Sequence, residues 1–327
     1  MSNEPLSEVI GLEPIKKQIM FHLDAQKKTG FFENLLLVGG KGAGKTLIAR
    51  SIGKALLDDR TGFPRRFIEI NCADLGSVNE LFCSPMGSLV RRGCEATFYF
   101  DECEELNRGV SIALLSILEV KSDHKKKTSY NHDGEEFVFD WSKQSFIFST
   151  TNPEKMLEPL VDRLEVINIP AYGQKELKEI LAYHLRDLDV QDDALESLAS
   201  VSRGNPRACV KLARKIKKSA LISGQKTVSP KECLQLYRNL SIYPLGLTFS
   251  EVQILTTLLK NPNCSLTRLG AITGKNIQML RRFEEVFLQK RGLIEIRTAA
   301  GRNITPAGRE YLDSLKKEGY SFEGMEV

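Results

Sequence analysis

The chain has 327 residues, 42% of them hydrophobic and 27% charged, with 46 Lys and Arg against 42 Asp and Glu. That length suits about two or three domains of ~100–200 residues, and the ordinary apolar fraction excludes a disordered chain. No apolar run approaches the roughly 18 residues of a membrane span, the first residues carry Glu4, Pro5 and Glu8 where a secretory signal would be basic and then apolar, and the cysteines form no CxxC pair, so the expectation is a reduced, cytoplasmic protein without structural zinc.

In chain order, residues 15–29 have helical spacing, with Ile15, Ile19, Phe21 and Leu23 set among charges. Residues 34–38 form a short apolar run that enters the glycines of 39–44, the pattern of a buried parallel strand followed by a loop, and residues 47–57 continue as a helix. Further strands are predicted at 67–70, 96–100, 145–149 and 166–169, the last stopped by Pro170, with helical stretches such as 109–120 between them. Strands alternating with helices predict an α/β domain with a mainly parallel sheet over residues 1–170. From 171 to 245 the segments 174–185, 192–200 and 206–222 are helical in period with no strand between them. From 246 to 327, helices at 250–259, 265–273 and 276–287 precede two strands, 293–296 and 303–305, which flank Ala299–Arg302 as a hairpin. Three helices and a two-stranded wing are the pattern of a winged helix. Lys125–Lys127 and the polar stretch to Glu136 predict an exposed loop or hairpin tip, and Trp141 a local packing residue.

The small net charge hides an uneven distribution. Residues 1–170 carry 21 basic and 25 acidic side chains, residues 171–245 carry 13 and 8, and residues 246–327 carry 12 and 9. Within 201–300 there are 18 basic against 5 acidic residues. An excess sustained over that length points to a polyanion partner such as DNA, the alternative being outward-turned Lys and Arg on solvated helices.

Gly39, Gly42, Gly44, Lys45 and Thr46 fit the spacing GxxxxGK[ST] between a strand and a helix. Glycines there let backbone N–H groups wrap phosphate oxygens, and the following helix adds positive potential. Lys45 would reach the β- and γ-phosphates of ATP and Thr46 would ligate Mg²⁺. Asp101 and Glu102 close the third strand: Asp101 would help hold Mg²⁺ and Glu102 would polarise an attacking water, or the two are simply an acid pair opening a helix. Thr151 and Asn152 end the fourth strand, between the phosphate loop and Glu102. Arg163 could reach the γ-phosphate held by a neighbouring subunit, or could pair with Asp162 or Glu165. Arg207 could fold back on bound nucleotide, or could be a solvated first-turn arginine.

With these pieces placed, the chain resembles the RuvB family of Holliday-junction branch-migration motors within the AAA+ superfamily. The likeness runs through Val9–Leu12, the phosphate loop, Asp101–Glu102, Phe148–Asn152, Pro159–Arg163, Arg203–Ala208, Gly246–Leu247, Gln289–Ile294 and Arg297–Arg302. It implies an AAA+ P-loop domain, a small helical lid and a C-terminal winged helix. It also implies that Ile10 and Tyr172 contact the nucleotide and that Thr151 and Arg207 sense it. Arg163 would act in trans in a hexameric ring, and Arg297 and Arg302 would touch the DNA backbone. A RuvA-like protein is the implied partner, docking on the 122–141 segment, which matches the family poorly. Residues 39–42 read Gly-Gly-Lys-Gly where the family usually has two prolines, and the N-terminal arm lacks the family's nucleotide-contacting arginine. The implied function is ATP-driven branch migration, with an AAA+ loader or initiator that remodels a protein–DNA complex as the alternative.

Overall fold

The computed structural model describes residues 5–119, 127–132, 134–297 and 301–320. The chain divides into two compact units, residues 1–180 with 204–208, and residues 181–203 with 209–327.

The first unit is built on five strands: β1 Leu35–Gly39, β2 Arg66–Asn71, β3 Ala96–Asp101, β6 Ser145–Thr150 and β7 Glu165–Ile169, with β4 Lys127–His132 and β5 Glu135–Asp140 forming a separate antiparallel hairpin. The sheet order is β2-β3-β6-β1-β7 and every pairing is parallel. Helices cover the sheet, so its central strands are buried from end to end and read as continuous apolar runs: Leu35, Leu36, Leu37, Phe98, Phe100, Phe146 and Phe148 are fully enclosed. Phe100 stacks on Phe148 with ring centroids 4.8 Å apart, a cross-strand pair between β3 and β6. The helix Glu13–Thr29 starts on Pro14 and stops at Gly30 in the left-handed region; the helix Lys45–Ala55 follows the phosphate loop directly.

The five predicted strands are all present. Two helices, Val78–Cys83 and Pro85–Arg91, were not expected; each is too short for periodicity to declare itself, though Ser77 and Ser84 cap them. The polar 125–136 stretch lies in the β4–β5 hairpin as far as it is described; residues 120–126 and 133 fall outside the described residues. Trp141 is a core residue, packed on Phe82, Phe139 and Phe146 with its indole N–H donating to Thr128 Oγ1 at 2.8 Å.

The second unit carries the helices Asp192–Val201, Pro206–Ser223 (from residue 209) and Pro230–Asn239. One expectation is corrected here. A two-residue parallel pair, β8 Asp189–Val190 with β9 Thr227–Val228, links segments expected to be purely helical. A winged helix follows in the same unit: helices Phe249–Lys260 and Leu266–Thr273, a helical stretch from Ile277 to Lys290 that widens to a π-turn at Leu280–Glu284, and the hairpin β10 Ile294–Arg297 with β11 Gly301–Ile304. The helix Pro306–Lys317, not anticipated from sequence, closes its core with Leu312 and Leu315. Arg203 binds these parts together. Its guanidinium donates to the Gly246 carbonyl and to the buried carboxylate of Glu251, and lies 3.9 Å above the Phe287 ring. Gly246 has φ +77°, and an added Cβ would sit 2.3 Å from the Val201 carbonyl oxygen, so only glycine fits that turn.

At the amino edge of the first unit's sheet, Arg65 and Glu95 form a buried ion pair at 3.2 Å. Arg65 also donates to Ser145 Oγ at 3.0 Å, and Glu95 accepts from the Asp59 N–H at 3.1 Å. Glu95 also meets Lys143 at 3.2 Å and Arg65 lies 3.9 Å from Asp59, so removing one member leaves the other charge buried with a weaker partner, at a cost of at most about 3–5 kcal/mol, whereas an apolar pair of similar volume is nearly neutral. Glu95→Ala should therefore destabilise the first unit by up to that amount, and Arg65→Met with Glu95→Leu should recover most of it. Denaturant titration followed by the fluorescence of Trp141, the sole tryptophan, measures both.

Candidate functional site

The loop between β1 and the helix Lys45–Ala55 holds Gly42 at φ +85° and Gly44 at φ +89°. A Cβ on Gly42 would lie 2.5 Å from Asn205 Oδ1 and 2.9 Å from Arg207 Cβ, so the segment 204–208 runs directly over the loop. Asn205 Nδ2 donates to the Lys41 carbonyl at 3.0 Å, and its Oδ1 accepts from the Arg207 N–H at 2.9 Å. Tyr172 joins on the same side. Its backbone N–H donates to the Gly204 carbonyl at 3.3 Å, and its hydroxyl is 3.4 Å from where a Gly44 Cβ would stand. Burial, reinforced by the Glu176 charge, pushes that phenol up to about 12. Glu176 takes the Leu12 N–H and the Gly173 N–H, both at 2.8 Å, and so anchors the Val9–Leu12 segment, with half-buried Ile10, beside Tyr172.

Lys45 is buried, with Nζ donating to the carbonyls of Gly39 at 2.8 Å and Gly40 at 3.3 Å. Burial lowers the pKa of its ammonium; the charges of Asp101, Glu104 and Glu102 oppose that shift and the charge of Arg207 adds to it. Loop N–H groups, a helix start and a cation held over its own carbonyls fit a phosphate chain.

On the acidic side, Thr46 Oγ1 is 3.5 Å from Asp101 Oδ2 and 3.3 Å from the Tyr99 hydroxyl. Ser149 Oγ donates to Asp101 Oδ1 at 2.5 Å and shares a 2.9 Å contact with Tyr99. A hydroxyl and a carboxylate meeting at the phosphate loop fit a hard divalent cation such as Mg²⁺. Glu102 is exposed at φ +57°, a left-handed backbone that costs a non-glycine residue roughly 1–2 kcal/mol and turns its side chain out past the strand end.

Thr151 and Asn152 belong to this site through a residue the sequence did not single out. Glu104 accepts from Thr150 Oγ1 at 2.5 Å, from Thr151 Oγ1 at 2.6 Å and from the Thr151 N–H at 3.2 Å, and Asn152 Nδ2 donates to Thr151 Oγ1 at 3.0 Å. Burial alone would raise the Glu104 carboxyl; the Thr150 and Thr151 hydrogen bonds outweigh it and hold the group below its ordinary range. The available signal was only the acid run Glu104–Glu105 one turn past Asp101. Arg163 stands apart on an exposed turn, its Nη1 donating to the Pro159 carbonyl at 2.8 Å.

In the second unit the two wing arginines differ. Arg297 is exposed, with Glu295 at 2.8 Å. Arg302 points inward: Nε and Nη2 grip the buried Glu285 carboxylate, and its backbone bonds to Cys264 in both directions. A guanidinium with its charge already met by a buried carboxylate is poorly placed for a phosphate, which weighs against the expectation that Arg302, like Arg297, touches the DNA backbone. Thr298–Ala300 lie outside the described residues.

The ATPase family associated with various cellular activities (AAA) matches residues 35–170. The Holliday junction branch migration complex subunit RuvB of Thermotoga maritima is 27% identical over 316 residues, covering 94% of this chain and 90% of that protein. The RuvB subunit of Mycoplasma genitalium is 26% identical over 314 residues, covering 93% and 95%. Among solved structures, the Thermotoga maritima RuvB branch migration motor superposes with a TM-score of 0.71 at 25% identity, covering 94% of this chain and 96% of that one. The parallel sheet, the phosphate loop with its facing carboxylates and the likeness along nearly the whole chain identify a RuvB-like AAA+ ATPase.

Proposed function

We propose that this chain is an ATP-driven motor that moves the branch point of four-way DNA junctions. The observation that carries the reading is one chain joining a phosphate loop faced by carboxylates to a winged helix with an exposed arginine at a strand end. The RuvB relatives favour this over a loader.

In this reading Lys45 and the N–H groups of Gly42 and Gly44 hold the phosphates of ATP, and Thr46 and Asp101 hold Mg²⁺. The bound cation would neutralise charge on the phosphate oxygens. Glu102, turned out at the strand end, orients and polarises the attacking water. Thr151 and Asn152 read the terminal phosphate, Arg207 does so from the 204–208 strap, and Ile10 and Tyr172 line the nucleotide. Arg163, exposed and held by a backbone carbonyl of its own turn, serves a neighbour's nucleotide, which calls for a ring, taken here as a hexamer. A lid over 171–245, a DNA-contacting domain over 246–327 and a RuvA-like partner complete the assignment, in the cytoplasm. Among the described residues no helix is long and apolar enough to cross a membrane.

With ATP and Mg²⁺, the wild-type chain should dissociate a synthetic four-way junction and Glu102→Gln should not, while still binding nucleotide. Absence of junction processing by wild type, with or without a RuvA-like protein and across salt concentrations, would sink the motor reading. At the wing, Arg297→Ala should reduce the salt dependence of DNA binding by about one phosphate contact. Arg302→Ala should instead lower the melting temperature of the second unit, by leaving the Glu285 carboxylate buried and unpaired. Equal salt slopes for wild type and Arg297→Ala would remove that residue from the interface.

A further inference from the structure

We propose that Glu104 is a positioning residue of the hydrolytic site, aligning the Thr151–Asn152 pair by claiming the single hydroxyl proton of Thr151. A threonine hydroxyl has one proton to donate and two lone pairs to accept with. Here the proton goes to Glu104 Oε1 at 2.6 Å and one lone pair receives Asn152 Nδ2–H at 3.0 Å. The other carboxylate oxygen takes the Thr150 hydroxyl at 2.5 Å, whose oxygen accepts the Asn152 backbone N–H at 3.0 Å. Two short chains of donors thus run from Asn152 through the hydroxyls to one carboxylate, which fixes the rotamers of three consecutive residues at the end of β6.

In this arrangement Thr151 has no donor to offer a phosphate, and the pair presents the second N–H of the Asn152 amide. For Thr151 to donate to a terminal phosphate, that phosphate must outcompete Glu104. Glu104 thereby sets the threshold at which the end of β6 registers a triphosphate in place of a diphosphate. Its charge also opposes the pKa shift that burial imposes on the Lys45 ammonium, so the anion that holds the sensor and the cation assigned to the phosphates act on one another.

The inference rests on reading Thr151 and Asn152 as the terminal-phosphate end of the site, and the test separates the two ideas. Glu104→Gln, Thr151→Val, Asn152→Ala and the double variant Glu104→Gln/Thr151→Val are compared in full-length protein. The readouts are steady-state ATPase kinetics and the equilibrium affinities for ADP and a non-hydrolysable ATP analogue. Glu104→Gln should lower kcat about tenfold with KM within about twofold, and should raise the ratio of triphosphate to diphosphate affinity severalfold, because the proton of Thr151 is held less tightly. In the Thr151→Val background the same change should add less than about twofold, since Glu104 acts through that hydroxyl. Effects that multiply in the double variant, or wild-type values in Glu104→Gln, overturn the proposal. If Thr151→Val and Asn152→Ala leave the affinity ratio unchanged, the reading of the pair as the phosphate end fails as well. Should Glu104→Gln not fold, Glu104→Asp keeps the charge but withdraws it from Thr151, and wild-type discrimination in that variant overturns the proposal.

Discussion

In a parallel sheet every strand delivers its carboxyl end to the same edge, and β1 is paired with β6 on one side and β7 on the other. The register then dictates the site. Val38 lies opposite Thr150 and Gly39 opposite Ile169, so the phosphate loop leaves the sheet between Thr151–Asn152 and Tyr172. Phe100 lies opposite Phe148, which puts Asp101 next to Ser149 and explains the hydrogen bond between them. A slip of one residue would turn the side chains of a strand to the other face and break these meetings together. The fully buried Leu35, Leu36 and Leu37, worth about 1.5–3 kcal/mol each, hold β1 in the sheet, and the stacked phenylalanines of β3 and β6 with the Ser149–Asp101 hydrogen bond favour the observed register.

Within that frame the electrostatics are arranged before any substrate arrives. Lys45 is buried and would be poorly tolerated there alone; its own loop's carbonyls and three carboxylates compensate it. Two of these carboxylates are held in place by hydroxyls at the end of β6, Asp101 by Ser149 and Glu104 by Thr150 and Thr151. Fixed dipoles and charges of this kind need no reorganisation during reaction, which is where electrostatic catalysis gains most. Arg207 reaches the cluster by a different route. The 204–208 strap passes so close to Gly42 that any side chain there would displace it, so the strap itself requires glycine at this position of the loop.

The sequence made this part of the molecule readable because parallel strands buried on both faces are unbroken apolar runs and the glycine spacing is chemically constrained. What escaped it depended on three-dimensional register. Glu104 looks like one acid in a run, and only the return of β6 beside β3 brings two hydroxyls onto its oxygens. The wing is the reverse case. Arg297 and Arg302 look equivalent by spacing, and the expected hairpin placed Arg302 at its tip. The observed pairing sets Ile296 opposite Arg302 and Ile294 opposite Ile304, and these four share one face of the ribbon. Ile294 and Ile304 are buried in the domain core, so Arg302 faces inward with them while Arg297 takes the outer face.

That alternation alters how the basic excess should be understood. Arg203 and Arg302 are both spent inside the second unit, and their partners, Glu251 and Glu285, are two of the five acids in residues 201–300. The Arg203–Glu251 pair removes one charge of each sign within those residues, and the Arg302–Glu285 pair sets one of their acids against an arginine just beyond them, so the net charge of the second unit is untouched while the number of cations able to meet a phosphate falls. Long-range attraction depends on the net charge and is undiminished. The salt dependence of binding counts direct phosphate contacts, and it must be smaller than the tally of lysines and arginines suggests. If the proposed DNA contact holds, the buried pairs leave the field that would gather a polyanion intact and would confine contact to the side chains the fold turns outward, such as Arg297 at the end of β10.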